Sequence, residues 1–138
     1  MSAGAPVSID APALRDLALG QPGQCTCALK ACQGWESVSE DRWPAQQLHP
    51  AGTLRPELPA GQTELTFEEF HPRGTRYASA DAPIVPGYFP FNRCDVYRCL
   101  RCQCAVLRYT EYGGYYVDHR VRLVDARLVQ DPESPSSA

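Results

Sequence analysis

Lysine is almost missing from this sequence: of thirteen basic side chains only Lys30 is lysine, and the rest are arginine. Histidine is also scarce. His49, His71 and His119 are scattered and form no His-x-x-x-His or His-x-Glu pattern. That argues against a catalytic zinc centre, which keeps an open position and leans on His or carboxylate ligands. A glycine-rich phosphate loop and a serine nucleophile elbow are both missing. No run approaches the roughly 20 apolar residues of a membrane span, so no membrane partner is expected. The first ten residues, Met-Ser-Ala-Gly-Ala-Pro-Val-Ser-Ile-Asp, lack the basic and apolar regions of a cleaved secretion signal. No repeat of domain-building length occurs. These absences point to a cytoplasmic, non-enzymatic protein whose thiols stay reduced.

What is present is cysteine, proline and glycine. Thirteen prolines and ten glycines exclude long regular elements, although a hydrophobic fraction of 43% suits a globular core. At 138 residues the expectation is one small, loop-rich α+β domain held by a staple. Its bounds are a flexible arm over 1–9, a zinc-stabilised domain over 10–129 and a disordered tail over 130–138.

Charge is unevenly placed. Residues 1–92 hold six basic and ten acidic side chains, a balance of −4. Residues 93–122 hold six arginines against Asp95, Glu111 and Asp118, a balance of +3, and the remainder carries −2. A small basic island therefore sits on an acidic chain.

Local patterns place the elements. Asp10 can cap a short helix over Ala11–Leu19, with Pro12 tolerated in its first turn and Gly20 just beyond its end. Leu14, Leu17 and Ala18 share the face that meets the core. Trp35 and Trp43 read as core packing. Pro44–Leu48 reads as a helical turn, and Pro50, Gly52, Pro56, Pro59 and Gly61 break every longer pattern after it. Glu64–Phe70 allows a short strand or turn, and 71–92 reads as extended loop from which Tyr88, Phe89 and Phe91 pack onto a zinc-bearing hairpin. Ala105–Val124, rich in β-branched and aromatic residues around Gly113-Gly114, signals that β-hairpin. A two-residue turn would pair Leu107 with Arg120. A three-residue loop would pair Leu107 with His119, Tyr109 with Val117 and Arg108 with Asp118; it gathers apolar side chains better and is the register expected. Tyr109, Tyr112, Tyr115 and Tyr116 then cluster near the hairpin tip, beside arginine, as a protein-binding surface does.

The cysteines carry the strongest signal. Seven is odd, and four of them, Cys94, Cys99, Cys102 and Cys104, fall within eleven residues. Structural zinc wants four tetrahedral ligands, usually contributed as two short pairs. Cys99-Leu-Arg-Cys102 has the spacing that aims two thiolates at one ion, just before a strand. The second pair must come from elsewhere, and Cys27 and Cys32, spaced by four residues, lie within the range seen for ligand pairs. The expected set is Cys27, Cys32, Cys99 and Cys102 holding a structural Zn²⁺, with Cys25 and then Cys94 as substitutes and Cys104 a buried apolar residue. Such an ion ties the N-terminal region to the hairpin. A redox pair at Cys99 and Cys102 lacks the βαβ context it needs, and iron–sulfur cysteine runs differ from this one.

The run Pro90-Phe-Asn-Arg-Cys94-Asp-Val-Tyr-Arg-Cys99-Leu-Arg-Cys102, continued by Leu107-Arg-Tyr-Thr-Glu-Tyr-Gly-Gly-Tyr-Tyr-Val-Asp118, resembles a group of small, largely uncharacterised proteobacterial Cys-rich proteins. These share a zinc-ribbon-like Cys-x-x-Cys-Gly knuckle and a Tyr-Gly-Gly-Tyr hairpin. The resemblance is best over residues 64–124 and weaker before Cys25. It implies a zinc-ribbon-like antiparallel hairpin, and its small acidic members suggest toxin-neutralising immunity proteins. Gln103 departs from the pattern, because glycine is usual after the knuckle.

Three functions stand as expectations. The first is a zinc-stabilised protein-binding module, an immunity or adaptor protein whose partner meets Arg98, Arg101, Arg108, Tyr109, Tyr112, Tyr115 and Tyr116. The second is a nucleic-acid-binding zinc ribbon using Arg93, Arg98, Arg101, Arg108, Arg120 and Arg122 on phosphates; the net negative charge counts against it. The third is a thiol redox or metal-handling protein.

Overall fold

The fold comes from a computed structural model that describes residues 7–19, 34–44, 46–55, 68–71, 74–77, 79, 81–100, 103–112, 115 and 117–130. Among these, one helix and five strands build an α+β fold. Helix α1 is Ala11–Leu19; the strands are β1 Glu36–Ser37, β2 Leu48–Thr53, β3 Asp95–Cys99, β4 Ala105–Tyr112 and β5 Val117–Leu123. The sheet is antiparallel in the order β1-β5-β4-β3-β2, with β4 at its centre.

The helix stands where its pattern placed it. Asp10 caps it, its Oδ1 accepting from Ala13 N–H at 2.9 Å. Ala11, Leu14 and Ala18 are buried and Leu17 packs beside them. Arg15 ties the helix to the segment after β5 by donating to Val129 C=O at 2.9 Å.

Both faces of the sheet are covered. On one side Val96, Leu107 and Tyr109 join Leu14, Trp35, Phe91 and Val124 in the larger core. On the other, Cys99, Cys104, Val106 and Val121 pack with Val38 and Leu48, flanked by Trp43 and Tyr97. The two tryptophans thus serve opposite faces.

This double burial corrects the hairpin register. Tyr112 pairs with Val117, Tyr109 with Arg120 and Leu107 with Arg122, so four residues, 113–116, connect β4 to β5. Neither a two- nor a three-residue turn is used. The expected register gathered apolar side chains on one face, a rule for sheets with a wet side; with both faces buried it does not apply.

Two further expectations change. Residues 48–53 form a strand, not the end of a helical turn: Pro50 is tolerated because β2 is an edge, and the pairing shifts by one residue between Pro50 and Gly52, a bulge. Residues 7–9 do not belong to a free arm. Ile9 N–H donates to Thr53 C=O at 2.9 Å, Thr53 N–H donates to Val7 C=O at 2.8 Å, and Ile9 is buried. Most of the tail, 131–138, lies outside the described residues, whereas Gln130 N–H is held by Ile84 C=O at 2.9 Å. Phe89, 6.3 Å from Tyr109, and Phe91, 6.0 Å from the Arg122 guanidinium, pack onto the hairpin as expected, whereas Tyr88 packs against Phe70 at 5.2 Å.

Candidate functional site

Strand β4 carries a candidate feature at each end. At about 3.3 Å per residue its eight residues set the two about 26 Å apart.

The cysteine end is the turn from β3 into β4. Cys99 N–H donates to Cys104 C=O at 2.9 Å, extending the ladder by one pair, and Gln103 N–H donates back to Cys99 C=O at 2.7 Å. Leu100 N–H donates to Gln47 C=O at 2.7 Å and fastens the turn to the segment before β2. Gln103 adopts φ 67°, the left-handed conformation that glycine takes most cheaply. Cys99 and Cys104 are both fully buried and share one face of the sheet. Cys94, the second substitute ligand, is on the other face, within the larger core. Its thiol donates to Pro90 C=O at 3.3 Å, and burial, with the Asp95 charge adding to it, pushes its pKa well above the ordinary thiol value. It is therefore a buried neutral thiol that cannot meet an ion held by Cys99. Cys25, Cys27, Cys32 and Cys102 lie outside the described residues, and the described residues alone bring together no group of three metal-ligating side chains.

The other end is the β4–β5 tip. Tyr112 is 78% and Tyr115 fully exposed, and Val117 beside them is 56% exposed. Tyr116 lies outside the described residues. Tyr109 does not join the tip. It is buried, its ring 5.1 Å edge-on from Trp35, and its hydroxyl is hydrogen-bonded to that of Tyr77. Burial, with that bond adding to it, raises its pKa, so it acts as a core residue.

The basic island is taken apart by the fold. Arg122 is buried, donates to Ala82 C=O at 2.6 Å, and is pulled down to about 10 by burial against the opposing Asp125 charge. Arg120 is held by Asp118 at 2.9 Å, Glu111 at 3.2 Å and the Tyr77 hydroxyl at 3.2 Å. Arg108 stacks 4.3 Å over Trp43 and pairs with Glu40 at 3.2 Å. Arg98 is on the opposite face, in an open groove beside α1 with Asp16 and Leu17. Arg101 lies outside the described residues. Arg98 and Arg108 therefore form no common surface.

His119 bonds Thr110 Oγ1 at 3.0 Å and lies 3.4 Å from Glu40. Neither Cys94, on the other face, nor Cys104, before the opposite end of β4, is its partner. Reading the sequence missed Tyr77 and Arg55, which stand in no motif. Their roles arise only when distant segments meet.

Comparison with protein-family models, curated proteins and solved structures returned no match. No helix among the described residues is long and apolar enough to cross a membrane.

Proposed function

We propose that the protein is a zinc-stabilised protein-binding module, an immunity or adaptor protein of the cytoplasm, and not an enzyme. The observation that carries this reading is the exposed aromatic tip: Tyr112, Tyr115 and Val117 stand in solvent at the end of a hairpin whose body is buried on both faces. Tyrosines held on a rigid hairpin give large contact area at small entropic cost, as interface anchors do.

The zinc reading rests on the cysteine turn. Cys99 is positioned by backbone bonds on both sides, and the left-handed residue directly after Cys102 is where a zinc-ribbon knuckle uses glycine. Cys99 and Cys102, completed from Cys27 and Cys32 with Cys25 in reserve, would hold the ion, which supplies folding energy and no chemistry. The division of the arginines between two faces, with Arg108, Arg120 and Arg122 already bonded to carboxylates or backbone, weighs against a nucleic-acid surface.

The test is capture of a partner from the native host with the purified chain and with a Tyr112→Ala, Tyr115→Ala double variant. A stoichiometric protein partner, lost with the variant, supports the proposal. Equal capture by both, or recovery of nucleic acid alone, rejects it.

A further inference from the structure

Strand β4 runs past the start of β3. Asp95 pairs with Arg108, and β4 continues through Thr110 and Tyr112, where among the described residues its one neighbour is β5. The step so formed is a cleft of about 240 Å³ whose lining includes Arg55, Arg93, Arg108, Thr110 and Tyr112. Arginines from three segments of chain line it, and among the described residues Asp95 is the one carboxylate in the lining.

We propose that this cleft binds a phosphate group, free or carried on a monoester. Each arginine is held in place by neighbours. Arg93 donates to Asn92 Oδ1 at 2.7 Å and lies 4.9 Å over the Phe89 ring. Arg108 is pinned between Trp43 and Glu40, and its buried Nε–H has no hydrogen-bond acceptor among the described residues. Arg55 stands 3.0 Å from Asp95 Oδ1, yet that oxygen makes no hydrogen bond among the described residues. The Arg55–Asp95 pair is thus a close but badly aligned contact between two partly exposed side chains, the kind worth least and most readily displaced.

Geometry selects the ligand class. A carboxylate is satisfied by one guanidinium fork, whereas converging forks suit the several oxygens and double charge of a phosphate. The volume is below that of ordinary small-molecule pockets, about 300–1,000 Å³, so a bulky cofactor is excluded and a compact anion fits. Thr110, its hydroxyl bonded to His119 at 3.0 Å, and Tyr112 line the same step. Asp95 is the built-in competitor.

Titration of inorganic phosphate into the full chain at constant ionic strength, followed by backbone amide shifts, tests this. A saturable response centred on Thr110, Tyr112 and Asp95 is expected. Arg55→Gln and Arg93→Gln should each weaken it about tenfold, the loss of one charge-assisted hydrogen bond to the anion. Asp95→Asn, which removes the competitor, should tighten it severalfold. A phosphoserine peptide forms the second arm, set against inorganic phosphate and against its unphosphorylated twin: binding tighter than inorganic phosphate assigns the group to a protein, binding no tighter than inorganic phosphate assigns it to a small molecule, and binding no tighter than the twin overturns the proposal. No saturable response, or a response unchanged in both Arg55→Gln and Asp95→Asn, overturns the proposal. Neither arm needs the partner of the tyrosine tip, so a partner lost with the tip variant alongside no phosphate response rejects the cleft and leaves the tip standing.

Discussion

Cys99 and Cys104 face each other as the last pair of the β3–β4 hairpin, Cys99 N–H donating to Cys104 C=O at 2.9 Å, with both thiols on the same buried face. Cys94, five residues before Cys99, is buried on the opposite side of the sheet. On the proposed zinc reading, the two faces separate the thiols by role. Cys99→Ser is expected to lose zinc and to unfold: a structural zinc contributes about 10 kcal/mol, as much as a small domain's whole stability. Cys94→Ser should keep its zinc. Metal analysis of the two purified variants checks this; zinc retained in Cys99→Ser would remove that residue from the site.

Gln103 holds φ 67° with its backbone N–H bonded to Cys99 C=O at 2.7 Å, while its side chain adds a longer bond from Nε2 to Leu100 C=O at 3.4 Å, so the backbone turn is the main constraint on its conformation. A residue with a Cβ is strained there, and glycine is not. Gln103→Gly should raise stability by about 1 kcal/mol in spite of the added freedom of the unfolded chain. Urea denaturation measures it, as a higher midpoint at unchanged slope. A lower midpoint would mean that the turn does not impose this conformation.

That glutamine also shows how far the sequence could be read. Local chemistry was legible: Asp10 as a cap, Pro12 inside the first turn, glycines between two β-rich runs, Cys99 at a turn. Each of these is decided within a few residues of itself. The register was not legible, because it depends on what covers the second face of the sheet, and Trp43, Val38 and Leu48 reach that face from far along the chain. Tyr109 illustrates the same limit. Tyrosine suits both a wet tip and a wet-edged core, and only the arrival of Tyr77 and Trp35 puts it in the core. The arginines read as one basic patch because sequence proximity says nothing of which face a residue takes once strands pair, and Arg122 ends up buried beside Phe91.

At Gly52 the N-terminal segment crosses the edge strand with no room for a side chain. A Cβ there would lie 2.5 Å from Val7 O and 2.4 Å from Ile9 Cδ1, so the N-terminal segment and the bulged edge strand could not both keep their places. The Ile9 methyl can turn aside, but the Val7 carbonyl accepts from Thr53 N–H at 2.8 Å and is fixed. Gly52→Ala should therefore cost about 1–3 kcal/mol, the range for forcing atoms into filled space. It should also free residues 7–9, seen as faster amide exchange at Ile9 and Thr53. Unchanged exchange at both amides would show that the segment is not held by this contact.

Asp125 caps the 3-10 turn Ala126–Leu128. Its Oδ1 accepts from Arg127 N–H at 3.0 Å, and its carboxylate takes the Arg127 side chain at 2.9 and 3.1 Å. The Arg127 side-chain hydrogen bond, with the backbone bond and the Arg127 and Arg122 charges adding to it against burial, holds the Asp125 carboxyl below its ordinary value of 3.8. A carboxyl whose pKa is lower folded than unfolded contributes stability that is fully present above the unfolded value. It is lost as pH falls through the folded one. Because Arg127 is 88% exposed, the ion pair itself is discounted and the cap dominates. Asp125→Ala should thus cost about 1 kcal/mol at neutral pH. Asp125→Asn, which keeps an acceptor for the Arg127 amide but no charge, should cost less. Thermal unfolding from pH 7 down to pH 2 checks the sign: the gap between the wild type and Asp125→Ala should close below about pH 4. A gap that persisted undiminished at the acid end would mean that the carboxylate charge plays no part in the cap.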